Sequence, residues 1–315
     1  MHSFSRASAG AALLLALGSS QAAAVDWSSV SPKTVTLFYP GQASWEWVLT
    51  PSDHSGAQRF REGKNCKQCH SGEEREMGQR IVTGQKLEPR PIAGKRGSIP
   101  VDVRFARDAE RLFVRLEWPE AQPSEAPRMN PAAAKVTMML SDATVVEATR
   151  AGCWSVCHDD AADMASAAPG STRHKYLPKS RQALSRSGGG DALKPAQELE
   201  RLAASGMFLE YWQARLAHNA PAVTADGYIF ADHEEKVVGP LASAEANFEN
   251  GRWIVVLSRK LAVGSPTHKD IVPGKVFNVG FAIHDDYADH RFHHVSLEHT
   301  LSLDPGAADF VPAAQ

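Results

Sequence analysis

Residues 99–118 read Ile-Pro-Val-Asp-Val-Arg-Phe-Ala-Arg-Asp-Ala-Glu-Arg-Leu-Phe-Val-Arg-Leu-Glu-Trp. Val101, Val103 and Phe105 alternate with polar residues, and Leu112, Val114, Leu116 and Trp118 alternate again. Period two places each set on one face of an extended strand. The polar run Arg107 to Arg111 supplies the turn between them. The stretch predicts a β-hairpin with one buried face.

The same signal recurs on the C-terminal side. Lys135 to Leu140, Gly227 to Phe230 and Ala246 to Leu257 predict further strands, and Glu249-Asn250-Gly251-Arg252 within the last is a strong hairpin turn. Val276 to Ile283 is apolar enough for a strand buried on both faces, and Phe292 to Leu297 begins another. Ala192 to His218 carries helical signals, with Pro195 at the start. Residues 119–134, rich in Pro and Ala, and the Gly/Ser run 185–190 read as loops. On the N-terminal side the pattern is irregular. A polar helix is expected near Ala57–Lys64, among the aromatics Trp27, Phe38, Tyr39, Trp45 and Trp47. The expected fold is mainly β: a β-sandwich over residues 97–310 with helical and loop insertions, preceded by an irregular segment over residues 25–96.

Residues 1–24 stand apart. A weakly basic start is followed by the apolar run Ala11 to Leu17 and the small residues Ala22-Ala23-Ala24, which reads as a secretory signal peptide. The run is far shorter than the ~20 residues of a membrane span, and no later stretch reaches that length, so no integral span is expected. The formal charge of −2 leaves no basic excess to release counterions from nucleic acid, and nucleic acid is not an expected partner. An exported chain with this signal is expected in the periplasm.

Four cysteines lie at 66, 69, 153 and 157. In an exported protein an even count first suggests disulfides, and two pairs are also enough for one zinc. Neither use accounts for the histidine that directly follows the second cysteine of both pairs. Cys66-Lys67-Gln68-Cys69-His70 is C-x-x-C-H, the attachment signature of c-type haem. Two thiols add to the haem vinyl groups and the histidine binds iron. Positions i, i+3 and i+4 share a face of one helical turn, so all three side chains reach one porphyrin. Cys153-Trp154-Ser155-Val156-Cys157-His158 carries one extra residue between its thiols, an expanded form of the same signature. Two covalently attached haem c groups are therefore expected, with His70 and His158 as iron ligands.

Electron-carrying haems take a sixth ligand. For the first haem His54 is the leading candidate, twelve residues before Cys66 in a loop; Met77 and a C-terminal histidine are alternatives. The C-terminal region holds His268, His284, His290, His293, His294 and His299. Alternation puts His293, Val295, Leu297 and His299 on one largely apolar face, and His294 with Ser296 and Glu298 on the other. His293 is thus the candidate sixth ligand of the second haem, with His299 and His174 as alternatives. Asp159-Asp160 is expected to cap or solvate the loop after the second motif.

Residues 97–305, through the Val101–Trp118 hairpin, Gly280-Phe281-Ala282-Ile283-His284-Asp285 and His293-His294-Val295-Ser296, resemble the haem-binding domain of the ethylbenzene dehydrogenase gamma-subunit family. That family includes the cytochrome subunits of dimethyl sulfide dehydrogenase-like molybdenum enzymes. Gly152-Cys153-Trp154, Cys157-His158-Asp159-Asp160 and Lys175-Tyr176-Leu177-Pro178 are similar to a branch of periplasmic multihaem c-type cytochromes. The first resemblance implies a β-sandwich holding haem between loops at one end. In the enzyme subunits that haem is b-type, with Met and Lys ligands. Here His158 stands in place of the methionine and His293 where the closing lysine lies, which implies a bis-histidine second haem.

The expected function is electron transfer in a respiratory chain. The expected partners are redox proteins: a quinol-oxidising membrane cytochrome, a terminal reductase or a molybdenum enzyme. The alternative is a haem enzyme, a peroxidase or a reductase of small oxides, working at one five-coordinate iron.

Overall fold

The computed structural model describes residues 25–127, 129, 132–152, 156, 158–186, 190–306 and 308–315. The signal-peptide expectation and both cysteines of the second motif, Cys153 and Cys157, fall outside these residues.

The hairpin at 99–118 forms as read. β2 (Ser98–Arg107) pairs antiparallel with β3 (Arg111–Pro119), with Val103 opposite Leu116 and Phe105 opposite Val114. The Asp108 carboxylate caps the turn by accepting from the amides of Glu110 and Arg111, both at 2.7 Å. On β3 lies β9 (Arg252–Lys260), and on β9 the edge strand β8 (Ser243–Glu249). Their turn, Asn250-Gly251, has φ of 50° and 72°, the conformation a two-residue hairpin requires.

On the other side of β2 sits β1 (Lys33–Phe38), so the N-terminal segment contributes a strand to the main sheet. The sheet continues through β11 (His294–Val295), β10 (Val276–His284), β4 (Ala134–Ser141), β5 (Leu209–Ala217), β6 (Ala220–Ile229) and β7 (His233–Lys236). β12 (His299–Ser302) pairs with β10, and β13 (Ala313–Ala314) runs parallel beside β2. The fold is mainly β, as expected. The sheet curls until β5 and β6 face β8 and β9. Inside the curl Trp118, Trp212, Trp253 and Phe281 share one core with the inward residues of the 99–118 hairpin. Each buried aromatic of this kind removes 150–250 Å² from water, so this core dominates stability.

One expected element differs. Within Ala192–His218 only α6 (Ala196–Ala204) is helical, beginning after Pro195; Leu209–Ala217 is strand β5. β5 is an interior strand, between β4 and β6, and is buried on both faces, Glu210 and Gln213 included. Burial on both sides removes the in/out alternation that marks a strand in sequence.

Four short helices lie before β2: α1 (Trp45–Val48), α2 (Ala57–Arg61), α3 (Lys67–His70) and α4 (Glu74–Val82). α5 (Val146–Ala151) leads into the second cysteine motif. α4 approaches the sheet through Gly78, where a Cβ would lie 1.9 Å from the Gly97 carbonyl oxygen. Gly78→Ala is therefore expected to push α4 off the sheet at a cost of about 1–3 kcal/mol, read as a lowered urea midpoint. An unchanged midpoint would show that α4 shifts freely.

Candidate haem-binding sites

The first motif forms the helical turn its spacing predicts. The His70 amide donates to the Cys66 carbonyl at 2.8 Å, and α3 puts Cys66, Cys69 and His70 on the wall of one cavity of about 570 Å³. Cys66 and Cys69 are free thiols rather than a disulfide. The opposite wall carries His54, with apolar lining from Phe38, Val48, Phe60, Ile81 and Leu297.

The rings of His54 and His70 lie with centroids 6.1 Å apart and planes inclined by 38°. Two imidazoles bound through Nε2 to one metal, each at about 2 Å, place their centroids about 6 Å apart. Both Nδ1 atoms are already committed. His54 Nδ1 donates to the Val48 carbonyl at 3.0 Å, and His70 Nδ1 donates to Glu73 Oε2 at 2.9 Å. In the neutral rings that leaves Nε2 as the free nitrogen, the arrangement of metal-bound histidines. Burial, with His70 and Lys86 nearby, holds His54 below the usual imidazole range, which favours the neutral form a ligand needs. Trp47 lies beside His54 with ring centroids 5.3 Å apart and planes inclined by 33°, and a Cβ at Gly56 would fall 2.9 Å from the ring. The ring is thus held in place before any group binds. Two thiols, two facing imidazoles and apolar walls fit a haem. Met77 also lines this cavity and packs half-buried against its apolar cluster.

The two motifs are tied together. The Cys66 amide donates to the Arg150 carbonyl at 2.9 Å, and the Arg150 guanidinium returns to the Lys64 carbonyl at 2.8 Å. The Lys67 amide donates to Glu298 Oε1 at 2.9 Å, while Gly152, at φ 73°, lies against the Leu297–Glu298 backbone. Burial pushes the Glu298 carboxyl up to about 7.

A second cavity, of about 430 Å³, opens beside β4, β5 and β10. His293 lines it. Its Nδ1 donates to the His290 carbonyl at 3.0 Å, and its Nε2 lies 3.5 Å from Lys175 Nζ. His284 stacks on it at 4.7 Å. Burial holds both imidazoles well below the usual range, and Lys135 and Lys175 add to the effect. His174 is exposed on the rim, 5.6 Å from His233. His233 was not singled out in the sequence; burial and neighbouring Lys175 lower it to about 4. Only its place on the edge strand β7, within reach of this cavity, draws attention to it.

His158 is fully buried elsewhere. Its Nε2 donates to the Tyr176 carbonyl, its ring lies 4.0 Å from that of Tyr176, and its Nδ1 is 3.3 Å from Glu46. His158 and His293 thus stand in separate surroundings. His299 is not near the second cavity; its Nδ1 accepts from Lys67 Nζ at 2.8 Å, beside the first motif. His294 and Glu298, expected on an outward face, are buried along with His293 and His299. Asp159 and Asp160 are buried too, not solvated. Asp159 accepts from Ser44 and Arg186, and Asp160 from Arg173 and Tyr176. The reason in both cases is the same: chain from distant segments covers what local sequence left open.

Among the described residues no helix is long and apolar enough to cross a membrane. The sequence profile of the ethylbenzene dehydrogenase family matches residues 239–296. The chain is similar over nearly its whole length to cytochrome c-552 of Stutzerimonas stutzeri, with 37% identity over 291 residues, 91% of this chain and 90% of that protein. It is similar also to cytochrome c-551 of Rhodocyclus tenuis, with 30% identity over 296 residues, 93% of this chain and 100% of that protein. A solved family 9 carbohydrate-binding module from Caldicellulosiruptor kristjanssonii, in complex with cellotriose, matches with a TM-score of 0.27 and 9% identity over 64% of this chain and 65% of that one, too little to bear on fold or ligand.

Proposed function

The chain belongs to the family of these c-type cytochromes, and from that membership we propose that it carries electrons between redox proteins of a periplasmic respiratory chain through two covalently attached haem c groups. The observation that carries this reading is the pair of facing imidazoles, His54 and His70, beside the thiols Cys66 and Cys69. Each haem supplies a one-electron iron couple. The protein's part is to hold it. Cys66 and Cys69 would attach the first haem, and His70 and His54 would hold its iron. Glu73 and the Val48 carbonyl orient the rings, and the apolar wall excludes water. Were both histidines to hold the haem, neither would leave room for a substrate at it, which favours a carrier over a peroxidase or oxide reductase.

For the second haem the reading assigns Cys153 and Cys157 as attachment points and His158 as ligand, with His293 as the sixth ligand. His293 has its Nδ1 bonded to backbone and its Nε2 facing a cavity, as a ligand should. Joining His158 and His293 across one iron requires His158 to leave Tyr176. The hydrogen bond from Cys66 to Arg150 favours exchange between the haems, because Cys153 lies only three residues on, at most about 11 Å of chain. Suitable partners are a quinol-oxidising membrane cytochrome, a terminal reductase or a molybdenum enzyme. Their docking should be transient, below about 1,200 Å² of buried surface.

The test is haem content. Protein exported by a host that matures c-type cytochromes is expected to give two haems per chain by pyridine haemochrome and intact mass. The double variant C153S/C157S is expected to give one. A single haem in the unaltered protein would overturn the two-haem reading. Two haems with a high-spin fraction that binds carbon monoxide would favour the enzyme.

A further inference from the structure

One short helix serves the ligands of both proposed haems. α1 presents the Val48 carbonyl to His54 Nδ1 at 3.0 Å, and from the same turn Glu46 reaches His158 Nδ1 at 3.3 Å. The helix is held at both ends. Ser44 caps it by accepting from the Trp47 amide at 3.1 Å, and the Ser44 hydroxyl donates to Asp159, next to His158. Thr50 Oγ1 donates to the Glu46 carbonyl at 2.7 Å.

Glu46 is buried and short of partners. Its side chain is 4% exposed, and that of His158 is 0%. Among the described residues it pairs with no lysine or arginine, and its Oε1 makes no hydrogen bond. The neighbouring acids are otherwise engaged. Asp159 accepts from Arg186 and Asp160 from Arg173, while burial raises the Glu147 carboxyl and so favours its neutral form. His70 also has a carboxylate at Nδ1, but that of Glu73 is 55% exposed, so water screens it.

We propose that Glu46 is a positioning residue for His158 and holds the second haem at a lower potential than the first, so that electrons run from the second haem to the first. The proposal rests on the two-haem reading and adds a direction to it. With Nε2 of His158 given to iron, the ring proton sits on Nδ1 and is donated to Glu46. That bond fixes the ring plane and raises the basicity of the ligand. A ferric porphyrin carries one net positive charge, which offsets the buried carboxylate of Glu46. Reduction adds one electron to the iron, makes or breaks no bond, and removes that offset. A buried charge that loses its partner is costly, so Glu46 favours the ferric state. At Glu73 water supplies the offset in both states.

The experiment is a potentiometric titration of the holoprotein, followed optically. Two one-electron waves are expected, and the lower should be the one missing from C153S/C157S. E46Q keeps an acceptor at Nδ1 but removes the charge. It should favour reduction in the lower wave by about tenfold, which is about 59 mV for one electron, and leave the upper wave in place. E73Q should move the upper wave by less than about threefold. E46D, which keeps the charge, should leave the lower wave close to that of the unaltered protein. In EPR the largest g value of one low-spin ferric signal should rise in E46Q, as the ligand loses anionic character. A lower wave unmoved by E46Q, an equal shift in E46D, or a lower wave that survives in C153S/C157S would each overturn the proposal. The last of these needs no change at Glu46 and decides the matter even if E46Q takes up no haem. One haem per chain in the unaltered protein would overturn the two-haem reading itself, whereas two haems with an unmoved lower wave would overturn the proposal and leave that reading standing.

Discussion

His54→Ala is expected to turn the first haem from low-spin to high-spin and to let it bind carbon monoxide. The ring of His54 faces that of His70 at 6.1 Å, and its Nδ1 is anchored to the Val48 carbonyl. Trp47 and the close approach of Gly56 keep it there. Alanine removes the imidazole that lies beside His70 in this cavity. His54→Met is expected to restore a low-spin haem and to raise its potential by on the order of 0.1 V, a fraction of the ~0.8 V that axial ligands span. Met77→Leu is the control. Met77 packs against the apolar wall, so its replacement should leave the spectrum unaltered. The measurement is optical and EPR spectroscopy with a potentiometric titration. If His54→Ala stays low-spin while Met77→Leu does not, Met77 is the ligand.

The second large effect concerns stability. Arg259 and Glu210 form an ion pair at 2.8 Å with neither side chain exposed to solvent. Glu210 also accepts from the Trp212 indole at 2.5 Å and the Lys269 amide at 2.6 Å. Arg259→Met leaves that carboxylate buried without its cation, at a cost of about 3–5 kcal/mol. For a chain of this size the melting temperature should fall by about 10 °C. Burial already raises the Glu210 carboxyl, and losing Arg259 raises it further. A carboxyl raised in the folded state binds its proton there more tightly than in the unfolded chain, so stability is lost as pH rises through that range. The variant should therefore be least damaged near about pH 5 and most damaged near about pH 8. R259M/E210Q, which removes the charge altogether, should recover much of the loss. Urea unfolding at the two pH values decides it: equal loss at both, with no recovery in the double variant, would mean that lost packing and not the stranded charge carries the cost.

The two sites differ in how far local sequence could describe them. Cys66, Cys69 and His70 lie within five residues, so a single helical turn assembles them and spacing alone reveals the chemistry. His54 lies twelve residues before Cys66 in a loop, which made it the leading candidate ahead of Met77, but the sequence could not show its ring beside that of His70. The second site draws on segments more than a hundred residues apart. His293 was legible as an inward residue, yet His299, on the same predicted face, belongs to the neighbourhood of Lys67. A two-residue strand, β11, and a separate β12 break the simple alternation on which that face was drawn.

What the sequence determined by itself were the features set by short-range periodicity and bonding. These are the hairpin at 99–118, the Asn250-Gly251 turn and the helical cysteine motif, with the chemistry that motif demands. Tertiary structure alone decided the rest. It made Leu209–Ala217 an interior strand, hidden from sequence because burial on both faces erases the alternation by which strands are recognised. It buried Asp159 and Asp160 against Arg186 and Arg173, and it set His54 opposite His70. A histidine or carboxylate looks the same in sequence whether solvated, paired or bound to metal. Only the groups that folding brings within a few ångströms determine which of these it becomes.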